Sequence, residues 1–441
     1  MTERQAEIIA LMKGEVKPAL GCTEPIAVAL AVAKACELIQ EKCVEKGCAK
    51  CISWRLDGDF DIDVEVSGNI LKNGMGVGIP GTGMVGLYIA AALGAVCGCS
   101  KYGLEVLHDL DIDMIERAKA MVDAHRVKVG VADTTHKLYV KATVSTECHK
   151  ASAVVADDHD NIVELCLDER FSTPRFDASG ECPGTSDNRA LGLTVKEIYE
   201  FATEVAYDDI AFVLESRKLN YALAEEGLDG DYGLRVGKTI NDTREVFGID
   251  FMSYAMSLTA AACDARMAGC TLPAMSNSGS GNQGITVTMP VIAYALTHNV
   301  DNERLARALT LSHLIAIHIK SYLGKLSALC GCVVASTGSA CGLVYLEGGA
   351  YEEVCSACKN MIGNITGMVC DGAKVGCAMK VASGVASAIQ SAVLAQKGIC
   401  ISDSDGIIEK DIEKTIRNLG QIGSEGMKAT DNMILNIMVC K

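Results

Sequence analysis

Residues 284–297 read GITVTMPVIAYALT, an apolar stretch that directly follows a glycine-rich segment. A bilayer span needs roughly 18–20 apolar residues, so this stretch is too short to cross a membrane and predicts a buried helix. Most of the chain after about residue 194 has the same helical character. We predict helices at 194–227, 239–268, 284–298, 302–329, 350–363 and 378–396. Glycine-rich joints at 276–284, 330–342 and 366–376 separate them, and their loops are expected to converge on one site.

The pattern upstream is different. Short alternating or β-branched segments predict strands at 52–56, 61–67, 127–131, 137–145, 151–155 and 162–167. Helices near 83–97 and 111–125 interrupt them, and two further helices, 3–13 and 25–42, open the chain. The predicted class is α+β. Residues 1–45 form N-terminal helices packed on the helical domain, residues 46–190 a mixed lobe, and residues 191–441 the all-helical domain.

The charge balance excludes some partners. The net charge is −16 and the pI about 5.0, and no Lys/Arg-rich face offsets it, so nucleic acid is not expected to bind. The N-terminus MTERQAEIIALMKGE lacks a signal-peptide core, which predicts a cytoplasmic protein without a membrane partner. A homodimer is a candidate assembly.

Cysteine is unusually frequent, with 21 residues in 441. In a long chain without a secretion signal, most of these side chains are expected to be buried thiols rather than disulfides. Cys370 and Cys377 lie on a glycine-containing loop before a helix, and Cys332 lies in another predicted loop. Loop thiolates near helix N-termini are good ligands, and three of them would hold a 4Fe–4S cluster with one iron open to substrate.

Other thiols offer alternatives. Two CxxC pairs, Cys48/Cys51 and Cys355/Cys358, have the spacing of half a zinc site or of a redox pair. Cys22 precedes a predicted helix with Thr23 as its N-cap, where the helix dipole favours the thiolate. Cys22 is thus a candidate base, nucleophile or cluster ligand, and a small core residue is the alternative.

Glycine-rich segments suit close approach to a ligand. Ser67-Gly68-Asn69 and Ser280-Gly281-Asn282-Gln283 are candidate substrate-binding segments, the second directly before a helix N-terminus that favours anions. Ser280, Asn282 and Gln283 would supply side-chain donors to an amino-acid carboxylate. The alternative is that these glycines only permit tight packing.

Among the remaining polar residues, the spacing of His313 and His318 favours structural roles, and Lys325 suits the surface better than a site.

The sequence resembles the L-cysteine desulfidase family, a group related to the iron–sulfur L-serine dehydratase α-domain. The resemblance rests on blocks that run in family order over nearly the whole chain. They are GCTEPIA at 21–27, SGN at 67–69, GIPGTG at 78–83, SGNQG at 280–284, CGC at 330–332 and NITGMVCDGAK at 364–374 with Cys377.

The resemblance implies a carbon–sulfur lyase that works without pyridoxal phosphate. L-cysteine would become hydrogen sulfide, ammonia and pyruvate through α,β-elimination. It also implies a 4Fe–4S cluster on Cys332, Cys370 and Cys377, with Cys330 able to replace Cys332, and Cys22 as the base or as a cap on the fourth iron. L-serine dehydration on the same fold, a non-enzymatic metal or Fe–S protein, and a Cys22 hydrolase are the rival interpretations.

Overall fold

The α+β class is confirmed. The computed structural model describes residues 1–46, 55, 60–180, 191–324 and 327–440. Its strands are β1 Pro18–Ala19, β2 Asp61–Val66, β3 Val127–Val131, β4 Tyr139–Ser145, β5 Lys150–Ala156, β6 Ile162–Leu167, β7 Arg170–Phe171 and β8 Ala274–Met275. The predicted strand at 52–56 lies outside the described residues, apart from Arg55.

The helices follow in chain order. They are α1 Glu3–Glu15, α2 Thr23–Lys46, α3 Gly68–Gly74, α4 Leu87–Val96, α5 Ile112–Asp123, α6 Val195–Glu204, α7 Tyr207–Ile210, α8 Glu215–Asp229, α9 Val236–Asp242, α10 Arg244–Phe247, α11 Phe251–Met267, α12 Gly281–His298, α13 Asn302–Leu323, α14 Gly331–Leu346, α15 Tyr351–Ile365, α16 Cys377–Gln396, α17 Ile412–Gln421 and α18 Lys428–Val439. Short 3₁₀ turns occur at Ser100–Glu105 and Ala211–Leu214, and a π turn at Ile422–Gly426.

The lobe is built on a mixed sheet of strand order β3-β2-β4-β5-β6-β7. Only β2 and β3 run parallel, and the other neighbours are antiparallel. The alternation of β2, with Ile62, Val64 and Val66 buried and the acidic residues between them exposed, shows why one face is apolar. Helices α2 and α4 cover that face and share its core.

The two N-terminal helices differ from the expectation that both pack on the helical domain. Ile8, Ile9 and Met12 of α1 do join the core of that domain. The apolar face of α2, including Val28 and Leu30, instead lies in the core of the sheet lobe. The chain therefore crosses between the two cores at residues 16–22.

The helical domain is centred on α14, which packs against α12, α13, α15 and α16. The prediction of a loop at 330–342 was wrong, because this segment is the first three turns of α14. Its glycines had suggested a joint, but Gly338 and Gly342 are buried where α14 approaches Ser312 of α13. Small residues here allow close helix packing.

Two long predicted helices are interrupted. The predicted helix 194–227 turns at Val205, which has extended backbone, and the segment 239–268 breaks at Gly248, where φ is 81°. Helix α13 ends at Leu323 because Gly324, with φ 76°, terminates it. Glycine at positive φ explains the last two breaks.

Helix α16 is, by length and composition, the described helix that could cross a membrane, with 50% of its apolar window buried inside the protein. It packs against α11, α14 and α15. A helix enclosed on several sides by its own chain is typical of a protein core.

The close contact at α14 predicts a stability difference between two glycine substitutions. A Cβ at Gly338 would overlap the carbonyl oxygen of Ser312, whereas a Cβ at Gly14 of α1 meets no atom within 4 Å. We expect Gly338→Ala to lower the free energy of unfolding by about 1–3 kcal/mol. Gly14→Ala should raise it by up to about 1 kcal/mol. Urea unfolding followed by circular dichroism measures both, and equal effects of the two variants would contradict the packing of α14.

Candidate active site

One cavity, of about 120 Å³, lies where the lobe meets the helical domain. It is far smaller than the roughly 300–1,000 Å³ pockets of drug-sized ligands, so a small molecule fits it best. Its polar and thiol lining comes from distant parts of the chain: Cys22, Thr23, Glu24, Asn73, His159, Arg266, Ser278, Ser280, Asn282, Gln283, Thr286, Lys320, Ser327, Cys330, Cys332, Cys370, Cys377 and Lys380.

Backbone pairing brings Cys22 into this cavity. Strand β1 pairs antiparallel with β8, and Ser278 N–H donates to the Glu15 carbonyl at 2.9 Å. The Thr23 hydroxyl then donates to the Gly279 carbonyl at 2.9 Å. The start of α2 is thereby fixed beside the loop that precedes α12. Cys22 thus shares a cavity with Cys330, Cys332, Cys370 and Cys377, about 300 residues further along the chain.

Cys22 and Glu24 form a buried hydrogen-bonded pair. The Cys22 thiol donates to Glu24 Oε2 at 3.0 Å, and the two residues are 5% and 8% exposed. Burial first, and then the charge of Glu24, raises the pKa of the Cys22 thiol far above its ordinary value. Burial opposes ionisation of Glu24, but the charge of His159, the Cys22 hydrogen bond and Arg266 together lower its pKa. The pair therefore rests as thiol and carboxylate.

This state corrects the expectation of a dipole-stabilised thiolate at Cys22. A helix N-terminus contributes about 0.3–1 kcal/mol, whereas full burial shifts a pKa by up to about 3–5 units, each worth about 1.4 kcal/mol. Burial therefore outweighs the dipole. Cys22 also occupies the N-cap position predicted for Thr23, because its carbonyl accepts from Ile26 N–H at 3.2 Å.

Cys330 and Cys370 are placed side by side by their backbones. Cys370 N–H donates to the Ala328 carbonyl at 2.7 Å, and Cys330 N–H donates to the Met368 carbonyl at 3.0 Å. Burial, and then the negative charge of Cys370, raises the pKa of Cys330 to about 12. The two thiols therefore interact electrostatically across the paired loops.

The loop from Cys370 to Cys377 is braced by charges. Asp371 forms ion pairs with Lys374 and Lys380, and these ammonium groups outweigh its burial and lower its pKa to about 2. Lys380 Nζ also donates to the Val369 carbonyl at 2.7 Å. The CDGAK block thus places Cys377 at the start of α16, facing the cavity.

Cys332 differs from the other three cavity thiols. It lies in the first turn of α14 rather than in the predicted loop, and its thiol donates to the Lys380 carbonyl at 3.2 Å. A Cβ at Gly384 of α16 would overlap its sulfur, so the thiol packs tightly against that helix. Burial raises its pKa well above the ordinary value. The Cys330 sulfur instead accepts a hydrogen bond from the Cys332 backbone N–H and interacts electrostatically with Cys370.

One of the two predicted substrate-binding segments lines the cavity and the other does not. Ser280, Asn282 and Gln283 line the cavity, but Ser67, Gly68 and Asn69 are not among its lining residues. The Ser67 hydroxyl caps α3 and donates to the Lys137 carbonyl at 2.7 Å. The amide of Asn282 is also occupied, by Arg266 Nη1 at 3.0 Å and by the Met267 sulfur at 3.3 Å. Asn282 therefore orients Arg266 instead of offering a free donor.

Several cavity residues were not predicted from the sequence. Asn73 enters from the end of α3, and Arg266 from the end of α11. His159 comes from the β5–β6 hairpin turn, and Lys320 from the last turn of α13. Burial lowers the pKa of Lys320 to about 8, so its ammonium group keeps its proton at pH 7 but loses it in mildly alkaline solution.

Cys358, His313 and His318 have structural roles. Cys358 of α15 lies 3.2 Å from Cys341 of α14, sulfur to sulfur, with both side chains buried. His318 pairs with Glu413 at 2.8 Å, and buried His313 contacts Asn277 at 3.0 Å. In the described part of the chain, no three His, Cys, Asp or Glu side chains are arranged to hold a single metal ion. Cys48, Cys51 and Lys325 lie outside the described residues.

Comparisons with known proteins place the chain in a family. The family model for the serine dehydratase alpha chain matches residues 101–436. A UPF0597 protein of Oleidesulfovibrio alaskensis is 50% identical over 437 residues, which are 98% of this chain and 97% of that protein. UPF0597 proteins of Phocaeicola vulgatus and Bacteroides fragilis are 46% and 47% identical, over 99% and 100% of this chain and 97% and 100% of theirs. The chain therefore belongs to the serine dehydratase alpha chain family and, within it, groups with the UPF0597 proteins.

Proposed function

We propose that this protein is a cytoplasmic L-cysteine desulfidase, a carbon–sulfur lyase that releases hydrogen sulfide, ammonia and pyruvate. The observation that carries the proposal is the meeting of four thiols, Cys330, Cys332, Cys370 and Cys377, with the buried Cys22–Glu24 pair in one small cavity. Membership of the serine dehydratase alpha chain family supports a lyase acting on a small amino acid. A cytoplasmic location agrees with the many free thiols, which persist in a reducing compartment.

The donor set of the cavity fits a 4Fe–4S cluster. Thiols are the ligands such clusters use, and the positive charges of Lys380 and Lys320 act on Cys330, Cys370 and Cys377. Each thiolate binds a different iron of a cluster, so its ligands stand further apart than the ligands of a single ion. When bound, such a cluster supplies Lewis-acid chemistry at the leaving group.

Among the thiols, we assign Cys370, Cys377 and Cys330 as the ligands in preference to Cys332. The Cys332 sulfur is engaged with the Lys380 carbonyl and packed on Gly384. Backbone pairing, in contrast, holds Cys330 beside Cys370. Cys332 then contributes packing between α14 and α16.

The Cys22–Glu24 pair supplies the acid–base chemistry of the elimination. As the Cys22 sulfur takes the proton from the substrate Cα, its own thiol proton passes to Glu24. The Cα–H electron pair forms the Cα=Cβ bond, the Cβ–S bond breaks, and the sulfur leaves as hydrosulfide, which becomes hydrogen sulfide on taking up one proton. The aminoacrylate that remains takes up water and gives pyruvate and ammonia.

L-serine dehydration is the second candidate, and the match to the serine dehydratase alpha chain family favours it. The same atoms would act, with hydroxide leaving from Cβ in place of the sulfur. The ratio of kcat/KM for L-cysteine and L-serine separates the two activities.

Our first functional prediction concerns the cofactor and the reaction. Protein purified anaerobically and reconstituted with iron and sulfide should form pyruvate and sulfide from L-cysteine. Cys370→Ala and Cys377→Ala should lose both bound iron and turnover, because each removes a ligand. Cys400→Ala should keep both, because Cys400 is exposed and does not line the cavity. Full turnover by the two ligand variants would refute the assignment.

A second prediction separates the two cysteines of the CGC segment. Cys330→Ala should lose iron, while Cys332→Ala should retain it with a lower free energy of unfolding, because a buried thiol is removed from the α14–α16 contact. Iron content per chain and urea unfolding measure the two effects. Iron loss in Cys332→Ala but not in Cys330→Ala would reverse the assignment.

A third prediction tests the proton relay. Glu24→Gln keeps the size of the side chain but removes the proton acceptor, so kcat should fall about 10²–10⁴-fold with little change in iron content. Cys22→Ala should cause a similar loss, and the double variant should be no slower than either single one, because the residues act as a unit. Independent, multiplying losses would show that Glu24 does not work through Cys22.

A further inference from the structure

Three buried polar atoms in the described chain line the cavity without a hydrogen-bond partner: Asn73 Oδ1, Arg266 Nε and Gln283 Oε1. Their side chains are 8%, 3% and 1% exposed. Leaving a buried polar atom unpaired costs about 1–3 kcal/mol, and more at a charged group. Such atoms gathered in one cavity indicate a ligand that pairs with them.

The unpaired atom of Arg266 is a positively charged donor with a fixed orientation. Nη1 donates to Asn282 at 3.0 Å and Nη2 to the Gly21 carbonyl at 2.7 Å. A Cβ at Gly281 would overlap the guanidinium group, so glycine is needed there for the arginine to lie against the N-terminus of α12. The guanidinium and the positive end of the helix dipole at that N-terminus both favour an anion.

Gln283 presents an acceptor, and a chain of buried hydrogen bonds decides its orientation. Neutral His313 accepts at Nδ1 from Asn277 Nδ2 at 3.0 Å, and Asn277 Oδ1 accepts from Gln283 Nε2 at 2.7 Å. Burial, which lowers the pKa of His313 to about 3, keeps that ring neutral. The amide oxygen of Gln283 is therefore the atom left for the cavity.

Asn73 contributes a second acceptor from a different part of the fold, because α3 belongs to the sheet lobe while α12 belongs to the helical domain. An ammonium group has three donors and no acceptor, and a carboxylate is an acceptor only. The cationic donor matches a carboxylate, and the two neutral acceptors match an ammonium group. Together they match an α-amino acid zwitterion better than a ligand that carries only one of these charges.

We propose that Arg266 binds the carboxylate of the substrate and that Asn73 and Gln283 together bind its ammonium group. The inference rests on the proposed function for the identity of the substrate as an amino acid, but it assigns the zwitterion site itself. Through Asn73 the sheet lobe takes part in substrate recognition. The site is therefore complete only when the lobe and the helical domain are joined.

The test uses three probes that lack a leaving group. L-alanine carries both charges, propionate only the carboxylate and ethylamine only the ammonium. Calorimetric titration of the anaerobically purified protein should show binding of L-alanine about 10–100-fold tighter than that of either single-charge probe. Equal affinities for L-alanine and propionate would overturn the ammonium half of the proposal.

Variants then assign the residues. Asn73→Leu should weaken L-alanine binding about 10-fold or more and leave propionate unchanged, whereas Asn73→Asp, which keeps an acceptor oxygen, should retain L-alanine binding. Arg266→Gln should weaken both L-alanine and propionate. Matched controls are Asn241→Leu and Arg126→Gln, neither of which lines the cavity.

The outcomes separate this proposal from the function. Unchanged L-alanine binding in Asn73→Leu overturns the role of Asn73, even if Arg266→Gln fails to fold. Zwitterion binding that follows the expected pattern, in a protein without lyase activity on L-cysteine or L-serine, supports the site and rejects the desulfidase. Conversely, lyase activity together with L-alanine binding that neither Asn73→Leu nor Arg266→Gln weakens supports the desulfidase and rejects the zwitterion site.

Discussion

The site depends on backbone-to-backbone contact between the lobe and the helical domain. Gly78 N–H donates to the Met267 carbonyl at 2.8 Å, and Gly81 N–H donates to the Gly269 carbonyl at 3.1 Å. A Cβ at Gly78 would overlap the backbone of Ala268, so only glycine permits this approach. The contact lies at the end of α11, beside Arg266. It therefore joins the two domains at the position where their side chains must share one cavity.

Glycine also permits a second close contact between two backbones. Gly372, with φ 92°, lies against the carbonyl of Lys72, and a side chain there would collide with it. The CDGAK loop is thereby held next to the end of α3, so Cys370 and Cys377 line the same cavity as Asn73. Several of the glycines that suggested a ligand-binding loop thus act indirectly, by letting two backbones meet.

Local pattern was a good guide to the lobe and a poorer one to the helical domain. The alternation at 61–66 and the β-branched runs at 127–131 and 162–167 predicted their strands because one face of each must be buried. Helix α14 was missed because its glycines and serines serve packing against α13, which local propensity cannot reveal. Likewise, nothing near Asn73 or Arg266 in sequence indicates a partner some 200 residues away.

Burial raises the pKa of Cys22, Cys330 and Cys377 alike, and the charges beside them make these thiols differ. Cys22 has a carboxylate beside it and keeps its proton, so it can exchange that proton with Glu24. Cys330 and Cys377 face the positive charge of Lys380, which lowers the cost of forming their thiolates. Burial nevertheless keeps the pKa of both thiols above its ordinary value, so the thiolates that ligation needs would form only with a bound cation beside them. The proposed elimination would use both kinds of neighbour, since ligation needs thiolates and α-proton transfer needs a group that can both take and pass a proton.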